Sequence, residues 1–418
     1  SNNTGGAISI CNWSPQLPGK VELGQVSFIK NQATYGGAII NEGSLSLKGM
    51  ASFESNSAAS GGGGLYNSGT ATFADHAVFS ENTAANGGAI LNEGEASFSA
   101  WADFSGNTAS GAAGAIYNSG TTSFEADATF SNNSAVAGGA ILNEGNVSFA
   151  GPTDFSENTA DTAGGGAIYN TNVLTFADGA VFKDNATTGD GGAIYNDAAA
   201  NQGTIVSEGD IRFNGGASFT GNKADGLGGA VYNLYDVTLN PGMGQEILFR
   251  GNTDSTGANA IHMAAGSHLD VTGAGTVKFD DPLSFADASP TVNKSGEGDL
   301  LFNAAMDGFL GTFEQEDGVT KVTSDWNIKN AVTLSGGTLE LPSFSFADPD
   351  ADGHVTGGLL TIAGGTLVTA TGQIFETALN AEGDNEDVGG VKADVDAHMD
   401  FDSGLIAFND AKYNLKYA

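Results

Sequence analysis

The segment GGAILNEGEASFSAWADFSGN, residues 87–107, contains the two short motifs that decide the fold. It opens with Gly-Gly-Ala-Ile-x-Asn, ending at Asn92, and closes with Phe-x-x-Asn, from Phe104 to Asn107. The first motif recurs with small variations, and its copies end at Asn41, Asn67, Asn92, Asn118, Asn143, Asn170, Asn196 and Asn233. The second motif recurs in phase with the first, as Phe28/Asn31, Phe53/Asn56, Phe79/Asn82, Phe104/Asn107, Phe130/Asn133, Phe155/Asn158, Phe182/Asn185, Phe219/Asn222 and Phe249/Asn252.

The repeat has a period of 25 to 27 residues until Asn196, after which an insertion stretches one unit to 37 residues. A period in this range indicates a solenoid, in which each repeat forms one coil. A second period of 51 residues is superimposed on the first, because Glu-Gly and Ser-Gly alternate after successive motif asparagines. This alternation indicates that the array grew by duplication of pairs of units.

Each unit is predicted to form three short strands and no helix. The first strand is Gly-Ala-Ile-x-Asn, the second alternates with period two as in residues 94–98, and the third is Ala-x-Phe-x-x-Asn. Glycine and asparagine between the strands favour tight turns. Three strands in a coil of about 25 residues predict an all-β chain folded as a right-handed parallel β-helix.

Stacked coils are expected to place equivalent residues in ladders about 4.8 Å apart. The motif isoleucines would then form an interior aliphatic column, and the motif phenylalanines an aromatic one. Asparagines in register can form ladders of side-chain amide hydrogen bonds that hold the turns. Since no single coil can bury its own faces, stability is expected to come from contacts between neighbouring coils.

The charge of the chain excludes several partners. The formal net charge is −35, and the only arginines are Arg212 and Arg250. Nucleic acids and anionic membrane surfaces both require a basic footprint, so neither is an expected partner. Cys11 is the only cysteine, so no internal disulfide can form. No stretch approaches the ~20 apolar residues of a transmembrane helix, so we expect no membrane insertion by this segment.

The paired motifs resemble the repeats of the chlamydial polymorphic outer-membrane proteins and, more widely, the passenger domains of type V autotransporters. The resemblance covers roughly residues 5–262, and residues 296–339 resemble the strand repeats that precede a passenger's barrel. It implies a pectin-lyase-like solenoid that is carried to the bacterial cell surface and stays tethered to, or is released from, the outer membrane. It also implies adhesion to host cells or self-association.

The chain is predicted to divide into two parts. Residues 1–263 carry the regular repeats. Residues 264–418 have longer strands without the two motifs, and we expect an irregular continuation of the β-helix or a β-rich C-terminal cap that precedes an outer-membrane barrel.

One acidic loop is a candidate metal site. Asp348, Asp350 and Asp352, followed by Gly353, have the alternating carboxylates of a calcium loop. The twelfth position is Leu359 instead of glutamate, and a solvated acidic turn is the alternative interpretation. We expect folding to need no cofactor, and calcium is the only candidate ligand of this kind.

The position between isoleucine and asparagine in the first motif is a candidate binding surface. If the isoleucine points inward, strand alternation points this residue outward. Its aromatic members are Tyr66, Tyr117, Tyr169, Tyr195 and Tyr232, and its aliphatic members are Ile40, Leu91 and Leu142. An exposed apolar stripe would mark a binding site, whereas packing under the return loops is the alternative.

The predicted function is that of an adhesin that binds a host-cell surface protein, a glycan, matrix or another copy of itself. A structural spacer without a ligand is the second hypothesis, and a carbohydrate-active enzyme is the third. No catalytic residues are assigned. A lyase would need a basic proton acceptor, and a glycosidase would need paired carboxylates, for which Asp103 and Asp154 in alternate coils are the nearest pattern.

Overall fold

The protein is a parallel β-helix, as the repeat predicts. The computed structural model describes residues 6–11, 19–201, 204–306, 308–342, 344–346, 359–362, 365–369, 390–393 and 404–408. These residues form strands and turns without a helix. Three long parallel sheets form the solenoid, and a fourth sheet of short strands follows the return loops. The first of the three ends at the strand Ser284–Phe285, and the other two continue to the last described strands. The sequence predicted three strands in each coil, and the fourth was not predicted.

Each sheet takes one strand from each successive coil. The first sheet contains the strands Ile8–Ile10, Ile39–Asn41, Leu65–Asn67, Ile90–Asn92, Ile116–Asn118, Ile141–Asn143, Ile168–Asn170, Ile194–Asn196, Val231–Asn233, Ile261–Met263 and Ser284–Phe285. The second contains Lys20–Leu23, Ser44–Leu47, Thr70–Phe73, Glu95–Phe98, Thr121–Phe124, Asn146–Phe149, Val173–Phe176, Asp210–Phe213, Asp236–Leu239, His268–Val271, Thr291–Lys294, Thr312–Gln315, Ala331–Leu334, Leu359–Ile362 and Gly390–Ala393.

The remaining strands complete the coil. The third sheet contains Val26–Ile29, Ala51–Glu54, Ala77–Ser80, Ala102–Ser105, Ala128–Ser131, Thr153–Ser156, Ala180–Lys183, Ala217–Thr220, Glu246–Arg250, Thr276–Phe279, Asp299–Phe302, Val319–Val322, Thr338–Leu341, Gly365–Thr369 and Gly404–Phe408. The fourth contains Gln32–Tyr35, Ser57–Gly61, Thr83–Ala84, Thr108–Ala109, Ser134–Ala137, Thr159–Gly164, Ala186–Thr187, Lys223–Ala224, Thr253–Asp254 and Gly257–Ala258. Two further pairs lie outside these sheets: Ala198–Asn201 with Thr204–Glu208, and Trp326–Ile328 with Phe344–Phe346.

Two columns of phenylalanine fill the interior. The Phe-x-x-Asn rings stack in near-parallel pairs, such as Phe104 on Phe130 with centroids 4.8 Å apart. A second column, which the sequence reading did not single out, comes from the last residue of the second-sheet strands, as in Phe98 on Phe124 at 4.7 Å. The two columns meet edge to face, a favourable arrangement for aromatic rings. The motif isoleucines are also buried, which confirms the predicted aliphatic column.

Two ladders of buried asparagines confirm the predicted amide stacking. In the Phe-x-x-Asn ladder, the amide nitrogen of Asn107 donates to Asn133 Oδ1 at 3.0 Å and to the carbonyl of Phe79 at 2.9 Å. The ladder ends where Asp281, a carboxylate that only accepts, receives hydrogen bonds from Asn252. The second ladder joins the asparagines of the first motif, for example Asn92 to Asn118 at 2.8 Å.

The paired glycines suit the backbone at this corner, although Ala113 takes the place of the first glycine in one unit with a similar φ of 62°. Gly87 adopts a left-handed φ of 57°, which few other residues adopt readily. Gly88 is packed so closely that an added Cβ would lie 2.1 Å from the carbonyl oxygen of Gly114 in the next coil. The motif therefore marks a corner where coils approach too closely for a side chain.

The coils between Met263 and Leu341 are shorter than the regular repeat. The second and third sheets continue, and equivalent residues such as Val319 and Thr338 are now 19 positions apart (338 − 319). The interior also changes: the column of Phe-x-x-Asn rings continues through Phe279 and Phe302 and is then followed by Val322, and Lys294 is fully buried. Lys294 donates to backbone carbonyls, including that of Asp317 at 3.3 Å, and burial lowers its pKa. The interior is therefore less uniform here than in the regular repeats.

Candidate binding face

The candidate stripe lies on the outer side of the first sheet. Its aliphatic members are covered, since Ile40, Leu91 and Leu142 expose only 6%, 8% and 8% of their surface. Leu142 packs against Ala137 of its own return loop and against Ala113 of the preceding one. The five tyrosines are partly buried. The exposed part of the stripe is thus a row of tyrosines with aliphatic residues packed beneath and between them.

The tyrosine hydroxyls are held by carboxylates from the following coil. Tyr66 Oη donates to Glu93 at 2.6 Å, and Tyr117 Oη donates to Glu144 at 2.6 Å. Glu93 and Glu144 belong to the Asn-Glu-Gly turns, which are the units that carry leucine instead of tyrosine in the stripe. The 51-residue period therefore has a structural reason: tyrosine in one unit pairs with glutamate in the next.

The sequence reading missed these carboxylates. Their signal was present, because the alternation of Glu-Gly and Ser-Gly turns coincides with the alternation of leucine and tyrosine in the stripe. Tyr169 continues the pattern by donating to Asp197 at 2.8 Å.

The C-terminal end of the stripe is a stack of rings. Tyr169 and Tyr195 lie 4.9 Å apart, Tyr195 and Tyr232 lie 5.1 Å apart, and His262 follows at 5.0 Å. His262 Nδ1 lies 2.9 Å from the hydroxyl of Ser284, and burial lowers the pKa of the imidazole. Stacking fixes the orientation of each ring, so this end of the face is rigid.

Burial, followed by hydrogen bonding to Glu93, raises the pKa of Tyr66 well above its ordinary value. The same causes raise the pKa of Tyr117 and Tyr169, and burial together with nearby aspartates raises that of Tyr195 and Tyr232. The folded state thus favours the neutral phenols.

We expect the stripe tyrosines to make the fold sensitive to alkali. Because their folded pKa exceeds the unfolded value of about 10, their contribution to stability is complete below about pH 10 and is lost as pH rises through the folded pKa. In an alkaline titration followed by tyrosinate absorbance and circular dichroism, these phenols should ionise together with unfolding. The urea-unfolded chain is the control and should titrate near pH 10, about the unperturbed value. Complete ionisation of all nine tyrosines with an unchanged dichroism spectrum would contradict this.

The other candidate residues lie elsewhere. Asp348, Asp350 and Asp352 lie outside the described residues, so the calcium loop stays a prediction. Within the described ranges, no group of three or more His, Cys, Asp or Glu side chains is placed to hold a metal ion. None of the residues that the structure describes forms a helix of the length and apolarity that a bilayer crossing requires.

The groups considered for catalysis are separated or already paired. Asp103 and Asp154 stand in alternate coils with Thr129 between them. The pKa of Asp103 is raised by burial. Arg212 is bonded to Asp210, and Arg250 to Asp280, on the outside of the solenoid.

The fold and the repeated motifs together define a class: a parallel β-helix built from Gly-Gly-Ala-Ile and Phe-x-x-Asn units. The Chlamydia polymorphic membrane protein repeat matches five segments, residues 76–93, 127–144, 152–171, 179–197 and 216–234. The resemblance inferred from the motifs is therefore confirmed, and these repeats on a β-helix are consistent with a surface autotransporter passenger. No curated protein and no solved structure gives a significant match.

Proposed function

We propose that the chain is the surface-exposed passenger region of an autotransporter-like protein and that it acts as an adhesin. The observation that carries this proposal is the row of tyrosines on the first sheet, held in place by carboxylates and ring stacking. Tyrosine is enriched at protein interfaces because its ring offers a large amphipathic contact with few rotatable bonds. The partner is a host-cell surface protein, a glycan, a matrix component or a second copy of the chain.

Rigidity supports the same proposal. The tyrosines project from a backbone that hydrogen bonds to both neighbouring coils, and the buried asparagine ladder follows each of them directly in sequence. A binding face that is ordered before contact loses little conformational entropy on association. A spacer without ligand, our second hypothesis, has no need for ordered aromatic rings at its surface.

Catalysis ranks third, and we propose that the chain acts without it. This proposal is supported by the pairing of both arginines with their own aspartates and by the placement of Asp103 and Asp154 in alternate coils.

The test is binding of the fluorescently labelled chain to epithelial monolayers over a concentration series, with unlabelled chain as competitor. Saturable binding that the competitor abolishes is the expected result. Binding indistinguishable from that of labelled serum albumin would overturn the adhesin proposal. Light scattering of the chain alone separates the two kinds of partner, because self-association increases the scattered intensity per mass with concentration.

A further inference from the structure

A groove of about 600 Å³ crosses the outer side of the third sheet, away from the tyrosine stripe. It extends over six coils, from Trp101 at one end to Glu246 and Leu248 at the other. Five coil rises of about 4.8 Å give a length of about 24 Å. An extended peptide of about seven residues has this length.

The corner residues before the third-sheet strands explain why the groove exists. Successive coils place His76, Trp101, Asp127, Pro152, Gly179 and Gly216 at this corner. Trp101 is 38% exposed and closes one end, where it meets His76 edge to face at 5.8 Å. Gly179 leaves the middle open, since a Cβ there would have no atom within 4 Å.

The lining offers hydrogen-bond acceptors and negative charge. Asp127, Asp154 and Glu246 line the groove, and no lysine, arginine or histidine is among its lining residues. Asp154 Oδ1 is buried and receives no hydrogen bond from the described residues. The hydroxyl of Thr129 already donates to Asp103 at 3.1 Å, and that of Thr153 to the carbonyl of Gly151 at 3.2 Å. The hydroxyl of Ser218 also lines the groove, and it can accept a hydrogen bond as well as donate one.

The nearest cations on this face are already paired. Lys183 lies 3.8 Å from Asp184, and Arg250 is bonded to Asp280. Lys278, next to the groove residue Leu248, lies 3.8 Å from Asp280. A groove lined by carboxylates favours a ligand that donates hydrogen bonds. Ammonium and guanidinium groups donate hydrogen bonds and accept none. The face of Trp101 adds a site for a cation above an aromatic ring.

We propose that this groove binds an extended, lysine- or arginine-rich segment of a partner protein. This proposal goes beyond adhesion through the tyrosine stripe of the first sheet. It does not depend on the adhesin proposal, because the groove lies on a different sheet. Attraction between opposite charges accelerates encounter and weakens with salt, so binding should be tightest at low ionic strength.

The experiment measures fluorescence anisotropy of a labelled peptide, Arg-Gly-Arg-Gly-Arg-Gly-Arg, titrated with the full chain. A peptide with citrulline in place of each arginine has the same shape without the charge. We expect the arginine peptide to bind and the citrulline peptide to bind at least about tenfold more weakly. Absence of binding by the arginine peptide, or equal binding by the citrulline peptide, would overturn the proposal.

Two matched variants locate the site. Gly179→Arg places a cation in the groove, whereas Gly24→Arg makes the same change at an equally open position outside it. We expect Gly179→Arg to weaken peptide binding by about tenfold and Gly24→Arg by less than about twofold.

A second pair of variants removes negative charge. The double variant Asp127→Asn, Asp154→Asn should weaken peptide binding as Gly179→Arg does. The double variant Glu42→Gln, Glu95→Gln removes the same charge outside the groove and is its control. Equal losses in the groove variants and their controls would show attraction to overall charge alone and would overturn the assignment of the groove. Circular dichroism verifies that each variant is folded.

Discussion

Replacing Asn107 by alanine is expected to lower the local free energy of unfolding by about 4 kcal/mol. The change removes a hydrogen bond from three buried groups: the backbone N–H and the side-chain amide of Asn82, and the carbonyl of Phe79. The side-chain amide of Asn82 keeps its other bond, to the carbonyl of Phe53 at 2.9 Å. Each buried polar group without a hydrogen bond costs about 1–3 kcal/mol, and partial relaxation reduces their sum.

Hydrogen exchange followed by mass spectrometry measures this effect coil by coil. Because a solenoid is stabilised by contacts between neighbours, protection should fall around residues 79–133 and stay unchanged in the coils beyond residue 290. Asn146→Ala is the matched control, since Asn146 is an exposed asparagine in the same kind of unit. Equal protection in Asn107→Ala and Asn146→Ala would contradict a structural role for the amide ladder.

Replacing Phe130 by alanine is expected to cost about 4 kcal/mol. The ring is fully buried and stacks on Phe104 at 4.8 Å and on Phe155 at 4.7 Å. Its edge-to-face neighbours Phe124 and Phe149 come from the second column. Alanine would leave a cavity in the middle of both columns, and the surrounding sheets are too rigid to close it.

Equilibrium unfolding in urea measures this loss. Phe130→Leu is the matched control, because the same ladder contains Val322 in place of phenylalanine in the later coils. We expect leucine to cost about 1.5 kcal/mol. Equal midpoints for Phe130→Ala and Phe130→Leu would contradict this account, because alanine leaves the larger cavity.

Much of the fold could be predicted from the sequence because both motifs are made of residues whose neighbours in the next coil are identical. Asn107 meets Asn133, and Phe104 meets Phe130, so the period alone identifies the contact. The fourth sheet was not predicted because its short strands, such as Thr108–Ala109, lie in loops of small residues without alternation.

The candidate face was harder to predict because its contacts join different residue types. To predict the hydrogen bond between Tyr66 and Glu93, one must know how two unlike units align in neighbouring coils. The structure shows this alignment, and the repeat alone does not. The burial of Leu91 under the return loops depends on the fourth sheet, so its exposure could not be read from strand alternation. The groove forms because Gly179 and Gly216 are glycines and have no side chains to fill it. Single glycines at these positions give no recognisable sequence pattern.

The most direct test of the tyrosine face compares the chain with a Tyr66→Leu, Tyr117→Leu, Tyr169→Leu variant in the monolayer binding experiment. Leucine is native at this ladder position in Leu91 and Leu142, so the fold should tolerate the change. Met243→Ser, which alters a residue 86% exposed elsewhere on the solenoid, is the control. We expect the triple variant to bind at least about tenfold more weakly, with the control unchanged. Unchanged affinity in a folded triple variant would contradict adhesion through this face.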